Sequence, residues 1–224
     1  MQKASIVYCL SLCGLLFQTG CFLPGYVSGI PGSGTITTVK SSAMGFTKVH
    51  QTASGSVAIS QGDEESVSIT TDDNLQQYLE AVVENGELVI RNKSEQNLAA
   101  TKGVQISIKL KSLEALRLSG VGSITATGLK CDKLSVRSDG VGSISLQGEA
   151  NSLDANISGV GNFDSKELDA KYVIVESSGV GSSSVKATES IKVTASGLGS
   201  VTYSGRPKDK TVNASGIGKV AETD

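Results

Sequence analysis

Tryptophan is absent from this sequence, histidine occurs once, proline three times, and only 4% of residues are aromatic. So few rings, scattered along the chain, argue against a groove that stacks sugars, the arrangement expected of a polysaccharide-cleaving β-helix. A single histidine, His50, supplies neither a zinc ligand set nor an identifiable partner for a nucleophile, and reads as an exposed strand residue. Scarce proline beside 26 glycines excludes collagen and proline-rich linkers. A basic excess is also missing, since the net charge is −2. Non-specific nucleic-acid binding needs a positive field, so no nucleic-acid partner is expected. With 38% hydrophobic residues there is still enough apolar surface to build a core.

The first twenty-one residues read as an address and not as part of a fold. Lys3 precedes an almost wholly apolar run over 4–17, and Gln18-Thr19-Gly20-Cys21 follows. The run is too short to span a bilayer as a stable helix and has the layout of a secretory signal. It resembles a bacterial lipoprotein signal, which implies cleavage before Cys21 and a lipid on that residue. Gln18 stands where such signals usually carry leucine, and ordinary signal cleavage is the alternative. The resemblance, with Phe22 after the cysteine, implies an outer-membrane lipoprotein held by its lipid. Residues 22–34 contain four glycines, two prolines and no charge, the composition of a tether. Cys9 and Cys13 lie in the apolar run, so Cys131 is the one cysteine left for the fold. No internal disulfide is expected, and Cys131 reads as a small, partly buried filler.

Residues 35–112 read as strands. Val104-Gln105-Ile106-Ser107-Ile108-Lys109-Leu110 alternates apolar and polar throughout, and Asn85-Gly86 marks a hairpin before Leu88-Val89-Ile90. Only 74–83 carries a possible helical period, with strand equally plausible.

From residue 113 to 224 the chain repeats. Ser119-Gly120-Val121-Gly122 recurs around Gly140 and Gly142, Gly159 and Gly161, Gly179 and Gly181, Gly197 and Gly199, and Gly216 and Gly218. Each copy follows an alternating segment such as Leu116-Arg117-Leu118 or Val173-Ile174-Val175. A fixed period with alternation inside it is the signature of a solenoid. The expected fold is therefore all-β: a right-handed parallel β-helix of about six rungs, 18–20 residues each, after an N-terminal β region. The twelve glycines are assigned to corners, where φ > 0 or a close backbone approach forbids a Cβ. The apolar residue between each pair (Val121, Val141, Val160, Val180, Leu198 and Ile217) is expected to point inward.

With these residues in view, the chain resembles the auto-transporter adhesin head GIN domain family over roughly residues 35–220. The resemblance rests on Gly45-Phe46-Thr47-Lys48-Val49, Val57-Ala58-Ile59-Ser60-Gln61-Gly62, Asp73-Asn74-Leu75, Gly86-Glu87-Leu88-Val89-Ile90 and the Ser-Gly-Val-Gly repeats. It implies an exported β-solenoid of the bacterial envelope and brings no catalytic residues with it.

Other motifs fall short of chemistry. A Gly-x-Gly can cradle phosphate, but only between a strand and a helix, and six copies followed by strand fit corners instead. Repeat calcium sites need an aspartate at a fixed offset in each copy, whereas Asp139 stands where its equivalents are serines. Asp72-Asp73-Asn74 lacks the spacing of a calcium loop. Asp63-Glu64-Glu65 reads as a solvated hairpin tip. The Asn-x-Ser/Thr sites at Asn92, Asn156 and Asn213 carry no glycosylation reading in a bacterial lipoprotein. No cofactor, metal or catalysis is expected. The first reading is an adhesion-type module for a glycan or protein ligand. The second is a structural envelope protein that self-associates through its solenoid ends, giving a homo-oligomer.

Overall fold

The computed structural model describes residues 29–93 and 95–223. The signal segment, Cys21 and residues 22–28 lie outside the described residues. In chain order the strands are β1 (Ile30–Pro31), β2 (Ile36–Ser41), β3 (Lys48–Gln51), β4 (Gly55–Gln61), β5 (Ser66–Asp72), β6 (Leu79–Glu84), β7 (Glu87–Asn92), β8 (Leu98–Ala99) and β9 (Gln105–Leu110). Then come β10 (Ala115–Leu118), β11 (Val121–Ser138), β12 (Val141–Ile157), β13 (Val160–Ser177), β14 (Ser183–Ala195), β15 (Val201–Ser204), β16 (Asp209–Ala214) and β17 (Val220–Glu222). The segment around 74–83 divides, with a 3-10 helix over Asp73–Tyr78 followed by β6.

From β10 onward the chain is a parallel coil of about five turns. Each of β11, β12 and β13 runs for nearly a whole turn, wrapping from a second face through a third and back to the first. The bend after the second face is made within the strand, by a register shift between Ala126 and Leu129 beside Gly128. A bulge of this kind turns the ladder without ending it. The Ser-Gly-Val-Gly corner is therefore the main break in each turn. Alternation sends Leu116, Leu118, Val136, Ala155, Val175 and Val193 inward from the first face, and Ile124, Ile144, Phe163, Val185 and Val201 inward from the second.

The N-terminal region extends this column downward, and not in chain order. The β3–β4 level lies directly beneath the repeats, with Leu116 over Val49 and Ile124 over Val57. Strands β7 and β9, later in sequence, form the level below that, with Val49 over Leu88 and Val57 over Ile106. The chain thus builds one level, leaves to form β5 and β6, returns beneath it, and then climbs past to start the repeats. Antiparallel partners finish this end: β6 on β7, β5 on β9, and β2 on β5.

Residues 29–34, assigned to the tether by composition, are instead bonded to this end. Strand β1 pairs with β8, the Gly32 amide donates to the Ala99 carbonyl at 3.0 Å, and the Asn74 side chain holds both the Ser33 amide and the Pro31 carbonyl at 2.9 Å. Asp72 is the clamp. Its fully buried carboxylate accepts from the Thr101 hydroxyl (2.7 Å), the Thr101 amide (2.8 Å) and the Gly34 amide (2.7 Å). The Thr101 hydroxyl bond, working with the amides against desolvation, holds this carboxyl below its usual pKa.

All twelve repeat glycines sit where a Cβ would strike backbone of the level beneath, well inside 3 Å. The second glycine of each pair is the tighter: a Cβ on Gly142 or Gly161 would land on the carbonyl oxygen of the preceding second glycine, and both have φ near +145° (146° and 142°). The first glycines, Gly140 and Gly159 among them, do not have positive φ, so close approach alone excludes a side chain there.

Gly161→Val should therefore lower stability by about 3 kcal/mol or more. Gly62→Ala, where a Cβ meets nothing within 4 Å, should stay within about 0.5 kcal/mol of wild type; paired denaturant melts check both. A depressed Asp72 pKa contributes stability that is complete above the unfolded value of about 3.9 and is lost as pH falls through the folded value. Asp72→Asn should lower Tm at pH 7, and its gap to wild type should narrow as pH is taken down through that window.

Candidate functional site

Side-chain parity carries through each repeat corner. Ile124 faces inward, so counting back by two places Gly122 and Gly120 on the inner side and turns Val121 outward. The structure follows this count. Val121, Val141, Val160, Val180 and Leu198 are between 46% and 58% exposed, and Ile217 is 85% exposed. The inward assignment of these six residues is corrected: the glycines take the inner positions because the corner is too tight to fill.

The six residues form one ridge. Val121, Val141 and Val160 are register partners, and bridges continue through Val180 to Leu198. From Val141 to Leu198 the amide of the apolar residue donates to the first glycine beneath, as from Val141 to Gly120 and from Val160 to Gly140, both at 3.0 Å. With levels about 4.8 Å apart, six residues extend over roughly 24 Å. Rows of small polar residues flank the ridge. Ser119, Asp139, Ser158, Ser178, Ser196 and Ser215 precede it, and Ser123, Ser143, Asn162, Ser182, Ser200 and Lys219 follow it. Only Asp139 and Lys219 in these rows are charged. A straight line of methyl groups between hydroxyls and amides suits an extended, uncharged ligand.

Beside the ridge the fold gathers a polar cluster that sequence order did not reveal. His50 Nε2 lies 2.9 Å from Ser119 Oγ, and His50 Nδ1 lies 4.0 Å from Glu87. These three residues sit on adjacent levels because β3 lies between β7 and β10. The outline resembles a nucleophile, base and acid, but the local bonding serves the surface. Ser119 also bonds the Asp139 carboxylate, which Arg117 (2.8 Å) and Arg137 (3.5 Å) neutralise. The amides of Ser119 and Gly120 are both spent on the Gln51 carbonyl, at 2.9 and 3.1 Å, so neither is free to receive an oxyanion. Burial, and then Arg117, push the His50 pKa down against Glu87 and Asp139, which favours a neutral ring.

The other motifs have structural surroundings. Asp72, Asp73 and Asn74 bind the strap around residues 31–35. In the turn after β4, Glu65 accepts the Gly45 amide at 2.7 Å, while Asp63 and Glu64 are exposed. Cys131 is half-buried, and desolvation raises its pKa. It borders an open depression of about 660 Å³ with Glu114, Asp132, Lys133 and Asp154. Among the described residues no group of three or more His, Cys, Asp or Glu side chains is placed to hold a metal.

A family model described as "Putative auto-transporter adhesin, head GIN domain" matches residues 45–207. Among solved structures, a putative adhesin from Bacteroides fragilis NCTC 9343 aligns with TM-score 0.74 and 26% identity, covering 87% of this chain and all of that one. Two proteins of Parabacteroides distasonis ATCC 8503 share the fold. One is a putative adhesin (TM-score 0.55, 21% identity) and the other a putative lipid binding protein (TM-score 0.51, 22% identity); each alignment covers 87% of this chain and 99% of the other. No curated protein matches the sequence.

If the ridge faces solvent, Val141→Ser and Val160→Ser should each change unfolding free energy by less than about 1 kcal/mol, the scale of a cross-strand pair. Phe163→Ala, three residues beyond Val160 in β13 but buried, should cost about 3–5 kcal/mol. Urea denaturation of the three variants makes the comparison.

Proposed function

The chain belongs to the auto-transporter adhesin head GIN domain family, and on that premise we propose that it is a non-catalytic adhesion-type module of the cell envelope whose contact surface is the ridge from Val121 to Ile217. The observation that carries this reading is the outward turn of the ridge. One exposed valine needs no explanation, but six stacked without interruption make a contiguous apolar patch, and such patches mark interaction sites. The flanking serines supply hydrogen-bonding groups at every level. A glycan or an extended protein segment of low charge fits this surface better than a charged partner does.

The place where the chain enters supports presentation from a membrane. Strand β1 joins β8 beside Ala53–Gly55, at the base of the corner column that carries the ridge. From Cys21 to Ile30 is nine residues, a reach of about 30 Å at most. A lipid on Cys21 would hold the rod by the lower end of its contact edge, with the repeats projecting away from the outer membrane.

The test pairs location with binding. Protease applied to intact cells should remove the protein while sparing a periplasmic control. Purified protein should bind a glycan array or host-cell surface, with little change between about 50 and 500 mM salt because few charges take part. The triple variant Val141→Lys, Val160→Lys, Val180→Lys should lose about tenfold or more in affinity at unchanged Tm. Protection in intact cells would end the adhesion reading, and undiminished binding by the folded triple variant would move the contact surface elsewhere.

A further inference from the structure

The last level of the coil breaks the inward pattern beneath it. In β14 the inward side chains Ile191, Val193 and Ala195 are buried. Their register partners in β16 are Lys210, Val212 and Ala214, all exposed. On the second face, the inward Tyr203 of β15 is partnered in β17 by Glu222. Lysine and glutamate therefore occupy positions that hold apolar side chains one level down. They meet across the mouth of the coil: Lys210 Nζ donates to both Glu222 oxygens, at 2.6 and 2.9 Å, and the Tyr203 hydroxyl donates to Glu222 at 3.3 Å. The hydrogen bond from Lys210 is the largest cause of the lowered Glu222 pKa, so Glu222 is a carboxylate at neutral pH.

We propose that the inward-facing Lys210–Glu222 pair is a stop: it ends the core and bars a second copy of this chain from stacking its last level on β16 and β17. The danger it answers is visible in the pairing. Among the described residues β16 pairs only with β14 and β17 only with β15, so each has one edge without a strand. Such edges are templates for strand addition, and an inward-pointing charge is a known guard against it. Val212 and Ala214 would favour stacking, since a second copy would bury them. The same contact would seal two lysines and two glutamates in an apolar column, where desolvation exceeds the Coulomb gain unless every remaining donor and acceptor is satisfied. At the opposite end β2 and β6 also have one strand partner each among the described residues, but they run antiparallel to their neighbours and do not repeat the C-terminal level. Two identical C-terminal ends are self-complementary about a two-fold axis, so an unguarded pair of them would close a dimer. This inference is independent of the ridge and its ligand.

Sedimentation of the full chain and its variants, purified identically in one mild detergent, decides it. Wild type should remain monomeric from about 1 to 100 µM, where weak interfaces are populated. Lys210→Val with Glu222→Val should dimerise at least tenfold more tightly, with new amide-exchange protection in 209–214. Adding Val212→Lys to that variant should restore the monomer. If circular dichroism shows the double valine variant unfolded, Lys210→Met with Glu222→Gln removes both charges at nearly constant shape and carries the same expectation. A folded, charge-free variant that stays as monomeric as wild type would overturn the proposal. So would a wild type already paired through 209–214, or an assembly larger than a dimer.

Discussion

Parallel levels about 4.8 Å apart can turn a corner together only if nothing projects along the stacking axis at the turn. Here the second glycine of each repeat lies so close to the carbonyl of the one beneath that a methyl group has no room. The rest of the column depends on that approach. It keeps the amide of Val141 on Gly120 and that of Val160 on Gly140. It also holds the first and second faces at a constant angle, so that Val136 and Ile144, or Val175 and Val185, face one another across an apolar interior. A single side chain at one corner would have to spread two levels, and the shift would pass up the stack.

The same tightness produces the surface feature with the most functional interest. Because the inner positions of the corner cannot be filled, alternation pushes the intervening residue outward, and repetition turns it into a line. The apolar ridge and the glycine corner are thus one structural device seen from two sides. Its neighbours, small hydroxyl and amide residues, keep the line accessible and almost uncharged. Both ends of the column are finished by polar means: Asp72 clamps the incoming strap below, and Lys210 meets Glu222 above.

Much of this was legible in the residues and some was misread for an identifiable reason. The steady interval between glycine pairs announced the coil, and the alternation of Gln105–Leu110 announced a half-buried strand. The ridge was misjudged because apolar character was weighed above parity; counting back by two from Ile124 gives the observed orientation. The assignment of 29–34 to a tether followed glycine and proline content, which reports conformational freedom but not hydrogen bonds made to Ala99, Asp72 and Asn74. The cluster of His50, Glu87 and Ser119 had no local signal, because its members come together only through the stacking of distant segments.

What the sequence determined by itself was the period, the face of each strand and the need for glycine at each corner, since these follow from side-chain alternation and from the size of a Cβ. Only the tertiary structure decided the order of the levels. Nothing local tells β7 and β9 to pass beneath β3 and β4; that choice rests on which edges remain free to pair once β10 covers the other side. The same holds for Lys210 and Glu222, two ordinary surface residues by sequence. They become a pair at the mouth of the core because their strands arrive on opposite faces of one coil.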